Sequence, residues 1–147
     1  MAGHDKSTAA GKKLFKELKE LSEMQVRVGF QRGKKHKGKG KRASADLVDI
    51  ALYNELGTDT IPSRPFLAQT VAQQGDSIKQ ASVELIMQVA EGKMKGKQAL
   101  KNIGVWVKGA VQHQMVEGEF VPNAPSTIRK KGSDKPLIDT GQLRQGV

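Results

Sequence analysis

The chain has 147 residues, no cysteine and a formal net charge of +10 at neutral pH. Its length predicts one domain over residues 1–147, and the absence of cysteine excludes disulfides and thiolate chemistry. Hydrophobic residues make up 37%, against about 45–50% in ordinary globular proteins, so either the core depends on subunit contacts or the chain is partly disordered. No uncharged run reaches the roughly 20 residues that span a bilayer, and no secretory signal is recognisable, so we expect a soluble protein made in a cytoplasm.

The N-terminal part of the chain predicts a helix followed by a strand. Residues 1–7 are expected to form a disordered tail. Over residues 7–22, leucines and Phe15 recur at helical spacing between lysines and glutamates. This pattern predicts an amphipathic helix whose apolar face docks onto a sheet or a neighbouring subunit. Residues 24–30 alternate apolar and polar side chains, which is typical of a half-buried strand.

A lysine- and glycine-rich segment, residues 31–43, follows that strand and is called the basic loop below. It holds seven cations and no acid, whereas the rest of the chain carries 18 basic against 15 acidic residues. Since it repels itself and buries no apolar surface, we expect it to be flexible. Two interpretations are open: it contacts DNA or an acidic partner, with strong salt dependence, or it is a solvated hairpin tip. The seven cations are Arg32, Lys34, Lys35, Lys37, Lys39, Lys41 and Arg42.

A corner between two helical patterns, residues 54–67, is the most tightly specified stretch and is called the elbow below. Gly57 follows the first helix, where a residue able to adopt positive φ is favoured. Pro62 pushes the residue before it out of the α region. Ser63 as N-cap and Pro65 at the second helical position predict the start of the next helix. This stiffness indicates either a surface held in a fixed pose or a helix–loop–helix turn inside the core.

Two long helices follow the elbow. Apolar residues at helical spacing predict helices over residues 65–91, with a break at Gly75, and over residues 97–116. Gly104 and Gly109 lower the stability of the second helix by about 1 kcal/mol each relative to alanine, and we interpret them as points of close approach.

The C-terminal part is turn-rich. Residues 126–131 predict one helical turn, residues 137–138 a brief strand, and residues 139–141 a turn with positive φ at Gly141. Taken together, the elements predict an α+β fold. It would consist of a small antiparallel sheet packed by two or three long helices, with the basic loop after the first strand.

Two blocks of the sequence resemble a known group of proteins. YNELGTDTIPSRPFL, residues 53–67, and APSTIRKKGSDKPLIDTGQLRQ, residues 124–145 (the C-terminal block), are similar to motifs of small tailed-bacteriophage neck and tail-completion proteins, often labelled minor tail or virion morphogenesis proteins. Leu56 stands where the family has an aromatic residue, and Ser63 where it has alanine. The sequence stops where relatives run on into another strand.

The resemblance implies a structural protein of the virion that forms a homo-oligomeric ring at the neck or tail top, completing the tail or joining it to the head connector. Its implied partners are copies of itself, the head connector or adaptor, tail tube or terminator proteins, and phage DNA in the lumen. It implies a location in the virion, and in the host cytoplasm during assembly. The residues expected to shape subunit interfaces are Asn54, Glu55, Gly57, Thr58, Ile61, Pro62, Arg64, Pro65, Phe66, Asp139, Thr140, Gly141 and Leu143. Among them, we expect Arg64 to bind a carboxylate or a helix C-terminus bidentately.

The titratable residues do not predict an enzyme, a cofactor or a metal site. Of the three histidines, only His113 has a carboxylate, Glu117, one helical turn away, and such a lone pair is far more often a surface pair than a metal site. The alternative function is a small basic nucleic-acid-binding protein that acts through the basic loop. Aromatic residues, the usual stacking platforms for bases, make up only 4% of the chain.

Overall fold

The structure is a computed structural model that describes residues 8–38 and 45–147. Helices in these ranges are α1 (Ala9–Glu23), α2 (Leu47–Leu56), α3 (Phe66–Ala90), α4 (Gly96–Glu117), α5 (Pro125–Lys131) and α6 (Gln142–Gln145). None of the described residues belongs to a β-strand. Lys35 and Asp46 form an isolated antiparallel bridge. The prediction of an α+β fold with an antiparallel sheet is therefore wrong, and the described chain is all-helical.

The predicted first strand, residues 24–30, has no strand to pair with. The second predicted strand, residues 137–138, lies at a turn instead. Val28 and Phe30 nevertheless pack against the core, and the ring of Phe30 meets that of Phe66 edge to face, with centroids 6.1 Å apart. Packing of Val28 and Phe30 against the core accounts for the alternation in the second half of the segment, whereas Val26 in the first half is exposed.

The helical patterns predicted most helices correctly. Helices α1, α3, α4 and α5 begin and end within about two residues of their predicted bounds, and α3 runs through Gly75 without the predicted break. Asp46 is the N-cap of α2, where its carboxylate accepts the N–H of Val48 at 3.0 Å. The predicted tail at residues 1–7, residues 39–43 of the basic loop and Ser44 lie outside the described ranges.

The chain divides into two compact units. The second unit, Val28–Gly75 and Val107–Val147, holds a core in which α2, α3, α4 and the C-terminal residues meet. The buried members of that core are Ala51, Phe66, Val111, Met115, Leu137, Leu143 and Val147. Both motif blocks lie in this unit.

The first unit comprises the described part of Met1–Arg27 together with Asp76–Trp106. The carboxylate of Glu17 on α1 accepts the N–H of Gly96 at the start of α4, at 3.1 Å, where helix N–H groups lack partners of their own. An added Cβ at Gly104 would lie 2.7 Å from a methyl of Val26, so Gly104 is a point of close approach as predicted. An added Cβ at Gly109, in the second unit, would have nothing within 4 Å. Gly109 is therefore not a point of close approach.

Candidate functional site

Hydrogen bonds within the elbow close the turn between α2 and α3. Gly57 has a φ of 78°, and a Cβ there would lie 2.8 Å from the backbone nitrogen of Ser63, so the position requires glycine. The backbone N–H of Thr58 donates to the carbonyl of Ile61 at 2.8 Å, and its hydroxyl oxygen accepts the N–H of Ile61 at 3.0 Å. The turn therefore has one well-defined geometry.

Glu55 joins α2 to α3 by capping the second helix with a side chain from the first. Its two carboxylate oxygens accept the N–H groups of Leu67 and Ala68, each at 2.9 Å. Such N–H groups have no partner within their own helix, and a negative charge is favourable there. Ser63, the predicted N-cap, instead donates its hydroxyl to the carbonyl of Glu55 at 2.8 Å. Pro65 stands just before α3 rather than inside its first turn.

Hydrogen bonds from Arg64 connect the elbow to the loop that follows α4. The side chain is buried, with 6% of its residue surface exposed. Its guanidinium donates to the carbonyl of Val121 at 2.9 Å, that of Pro122 at 3.4 Å, and the side-chain oxygens of Asn123 at 3.1 Å and Asn54 at 3.5 Å. These acceptors are neutral, in place of the expected carboxylate or helix C-terminus. Burial lowers the pKa of Arg64, but a guanidinium keeps its charge at neutral pH.

The C-terminal block turns at an exposed bend and then returns to the core. Asp139 and Thr140 are exposed, Gly141 has a φ of 77°, as predicted, and Leu143 on α6 is buried. Leu143 shares its core with Phe66, the first residue of α3. The two blocks that carry the resemblance are therefore packed together although they are far apart in sequence.

Gln142 connects the C-terminal block to the basic loop. Its side-chain oxygen accepts the backbone N–H of Lys37 at 2.6 Å, and its side-chain nitrogen donates to the carbonyl of Lys37 at 2.7 Å. One amide side chain thus satisfies both backbone groups of a single residue. The sequence interpretation did not single out Gln142, although its place between Gly141 and Leu143 in the block was a usable signal.

Backbone hydrogen bonds join residues 33–37 to residues 45–47, and these two described segments are called the stem of the basic loop below. The N–H of His36 donates to the carbonyl of Ala45, and that of Leu47 to the carbonyl of Lys34, both at 2.9 Å. The Asp46 carboxylate also accepts the N–H of Gly33 at 2.6 Å. The backbone bonds from Gly33 and Val48 lower the pKa of Asp46, with smaller contributions from nearby cations. The cations Arg32, Lys34, Lys35 and Lys37 are exposed, whereas Lys39, Lys41 and Arg42 lie outside the described residues.

Elbow, C-terminal block and loop stem together surround a cleft of about 630 Å³. This volume is within the range of small-molecule and cofactor pockets. Its walls are mainly apolar, and they include His36, whose buried Nδ1 has no hydrogen-bond partner among the described residues. The predicted residues that line it are Asn54, Ile61, Pro62, Arg64, Asp139, Thr140, Gly141 and Leu143. Five other predicted residues do not line the cleft and belong to the elbow itself: Glu55, Gly57, Thr58, Pro65 and Phe66.

The histidine and glutamate that the sequence pairs, His113 and Glu117, both lie on α4. His113 and Glu117 are both exposed, and residues 8–38 and 45–147 contain no group of three or more acidic or histidine side chains that could hold a metal. In the same ranges, no helix has the length and apolar character needed to cross a membrane.

Comparison with known proteins returned no relatives: no protein-family model, no curated protein and no solved structure matches the chain.

Proposed function

We propose that the protein is a structural component of a tailed-phage virion and forms a ring of identical subunits at the neck or tail top. The observation that carries this proposal is the convergence of the two blocks that resemble neck and tail-completion proteins. Residues from both line one cleft, and Leu143 of the second block packs in the core with Phe66 of the first. Two motifs that lie far apart in sequence thus build one surface.

Assembly by surface complementarity is the proposed mechanism. The elbow resists deformation because its turn has room only for glycine at position 57, and because Glu55 and Arg64 hydrogen-bond it to α3 and to the loop after α4. A rigid, mainly apolar cleft suits a segment of a neighbouring copy, since preorganised surfaces lose little conformational entropy on binding. The ring would complete the tail or join it to the head connector, in contact with adaptor, tail tube or terminator proteins, after assembly in the host cytoplasm.

In this proposal the basic loop adds a secondary contact beside the cleft. Its stem is tied to the C-terminal block through Gln142, so the exposed cations lie beside the cleft that His36 also lines. In a ring, such a loop would face DNA in the lumen or an acidic surface of a neighbouring protein.

The same exposed cations favour a second candidate function, a small nucleic-acid-binding protein. Arg32, Lys34, Lys35 and Lys37 are all exposed, and no ion pair holds any of them within the described residues. A phosphate backbone would attract such a stem regardless of base sequence.

Light scattering and negative-stain electron microscopy of the purified protein at moderate salt, together with a DNA-binding titration, separate the two functions. The comparison is between wild type and a variant in which Lys34, Lys35 and Lys37 are replaced by glutamine. A discrete high-order ring that persists in the variant supports the virion function. A monomer in both, with DNA affinity lost only in the variant, supports the nucleic-acid-binding function.

A further inference from the structure

Helix α2 presents two different faces to its surroundings. Ile50 and Asn54, one turn apart, line the cleft. Leu52 and Leu56, also one turn apart, are 48% and 69% exposed, and a helical repeat of 3.6 residues turns them well away from the lining pair. Tyr53, which is half exposed and also lines the cleft, stands at the edge between the two faces. The face with the two leucines therefore cannot fill the cleft of its own chain.

That leucine face, called the outer face of α2 below, is apolar and acidic. Asp49 shares it, because it precedes the two leucines by three and seven residues, and Asp59 is exposed just beyond the helix. Among the described residues, neither carboxylate has an ion-pair partner. Residues 45–63 contain no lysine or arginine. Arg32 and Lys35 lie near the N-cap residue, at the end of the helix away from the second leucine.

The cleft combines mainly apolar walls with cations. Among the described residues that line it, Arg64 and Lys131 are cationic and Asp139 is acidic. Two exposed lysines flank it. Lys130 follows a lining threonine by three residues on α5, and the backbone groups of Lys37 are bonded by a lining glutamine. Four cations thus stand against one acid in this set, which favours an occupant that is apolar and acidic.

Other exposed apolar surfaces of the chain match the cleft less well. Phe15 on α1 is 72% exposed, with lysines three residues before and four residues after it on the same side. On α3, exposed Val83 shares its face with Lys79, one turn earlier. Either surface would bring cations to a cationic cleft. A symmetric contact between two outer faces of α2 would bring acids together, and residues 45–63 supply no cation to meet them.

We propose that the outer face of α2 in one copy docks into the cleft of the next copy. Leu52 and Leu56 enter as apolar anchors, and Asp49 and Asp59 meet the lysines of the cleft. This inference rests on the ring-forming function proposed above and names the segment of the neighbouring copy that fills the cleft. A helix that lays its apolar side chains into a groove is a recurrent mode of recognition. Because the two surfaces differ, the contact is head-to-tail, and such contacts generate rings when the rotation closes.

Disulfide trapping tests this contact because the chain has no cysteine. The Leu56→Cys and Thr140→Cys variants, one of them carrying a purification tag that changes its size, are mixed and oxidised. Thr140 is exposed and lines the cleft, so a mixed dimer is expected in several-fold excess over either symmetric dimer. The matched control mixes Thr140→Cys with Val71→Cys, which is 66% exposed in the same unit and lies outside both surfaces. No excess of mixed dimer is expected there.

Two trapping results would overturn the inference. One is a mixed dimer of Leu56→Cys with Thr140→Cys that is no more abundant than in the Val71→Cys control. The other is preferential trapping of Leu56→Cys with itself, which would show a symmetric contact of the two outer faces.

Complementation between variants covers the case in which the cysteine variants misfold. Leu52→Glu with Leu56→Glu removes the outer face, and Thr140→Trp obstructs the cleft. Each variant alone is expected to raise the dissociation constant of self-association about tenfold or more, because apolar burial is lost. An equimolar mixture is expected to form a one-to-one dimer in sedimentation velocity, since each variant supplies the surface that the other lacks. A mixture that does not associate, or an equal loss in a Val71→Glu control, would refute the contact.

The outcomes for the contact and for the ring are distinguishable. Rings of wild-type protein without the mixed dimer would leave the virion function standing and eliminate this contact. A specific mixed dimer without rings on any template would establish the contact and argue against the ring.

Discussion

Gly57 is the residue on which the elbow's geometry depends most directly. Its φ of 78° lies in a region that side chains with a Cβ rarely adopt, and two backbone atoms, the nitrogen of Ser63 and the carbonyl oxygen of Ile61, stand within 3.0 Å of where a Cβ would be. Backbone atoms cannot rotate out of the way as side chains can. The turn therefore cannot accommodate a larger residue at position 57 without a change in its backbone.

Replacing Gly57 by alanine is expected to lower the free energy of unfolding by about 1–3 kcal/mol, because strain and steric overlap add. Gly109→Ala is the matched control. Gly109 lies inside α4 with nothing within 4 Å of an added Cβ, so alanine there should stabilise the protein by about 0.5–1 kcal/mol. Urea denaturation of both variants measures the two effects. Equal effects of the same sign would contradict the account of the elbow.

Local sequence patterns predicted backbone conformation at turns but not the hydrogen-bond partners of individual side chains. The positive φ at Gly57 and Gly141 was predictable, because a turn signal lies within a few neighbouring residues. The partners of Arg64 were not, since backbone carbonyls such as that of Val121 carry no side-chain signature. The pairing of Gln142 with Lys37 spans 105 residues and was equally invisible to local reasoning.

At the scale of elements, α3 is held in place by a cap from another helix. Glu55→Gln keeps the shape of the side chain but removes its charge and leaves only one acceptor oxygen for the N–H groups of Leu67 and Ala68. We expect a loss of about 0.5–2 kcal/mol in the free energy of unfolding, the range of other N-cap deletions. Glu119→Gln, at an exposed position outside the helices, is the control and should change little. A matching loss in the control would rule out a specific cap.

Acid is expected to weaken the join between the basic-loop stem and α2. Backbone hydrogen bonds lower the pKa of Asp46 in the folded chain, so the folded state binds the proton less tightly than the unfolded state. The resulting stabilisation is fully present above the ordinary carboxyl pKa of about 3.9. It is lost as the pH falls through the lower folded value.

Comparison of wild type with Asp46→Asn tests this pH dependence. The variant lacks the ionisation, so the difference between the two in free energy of unfolding should be larger at about pH 6 than at about pH 3. Asp134→Asn, at an exposed position after α5, is the control for the substitution itself. A difference that stays constant with pH in the Asp46→Asn comparison would show that the carboxylate contributes nothing through its charge.

Helices and strands were predictable to different degrees for a physical reason. A helix is hydrogen-bonded within one segment, so the periodic apolar residues of α3 and α4 were sufficient to place them. A strand needs a partner, and the alternation at residues 24–30 carries no information about whether one exists. Val28 and Phe30 are covered by helical core residues, which alternation alone does not distinguish from a sheet.

The whole molecule brings together two sequence blocks whose resemblance was found separately. The shared cleft could be found only from the three-dimensional arrangement. Arg64 of the elbow donates to Asn123, whose amide donates to the carbonyl of Lys135 in the C-terminal block, and Leu143 packs in the same core as Phe66. We propose that this cleft and its rigid elbow form a binding surface for neighbouring copies, with the basic loop as an accessory.

A density map of the assembled particle, with this chain located in it, would show whether another chain occupies the cleft. The account predicts a ring at the neck or tail top in which a segment of another chain fills the cleft and contacts Ile61, Pro62 or Thr140. A map in which the elbow faces solvent and touches no other chain would contradict it.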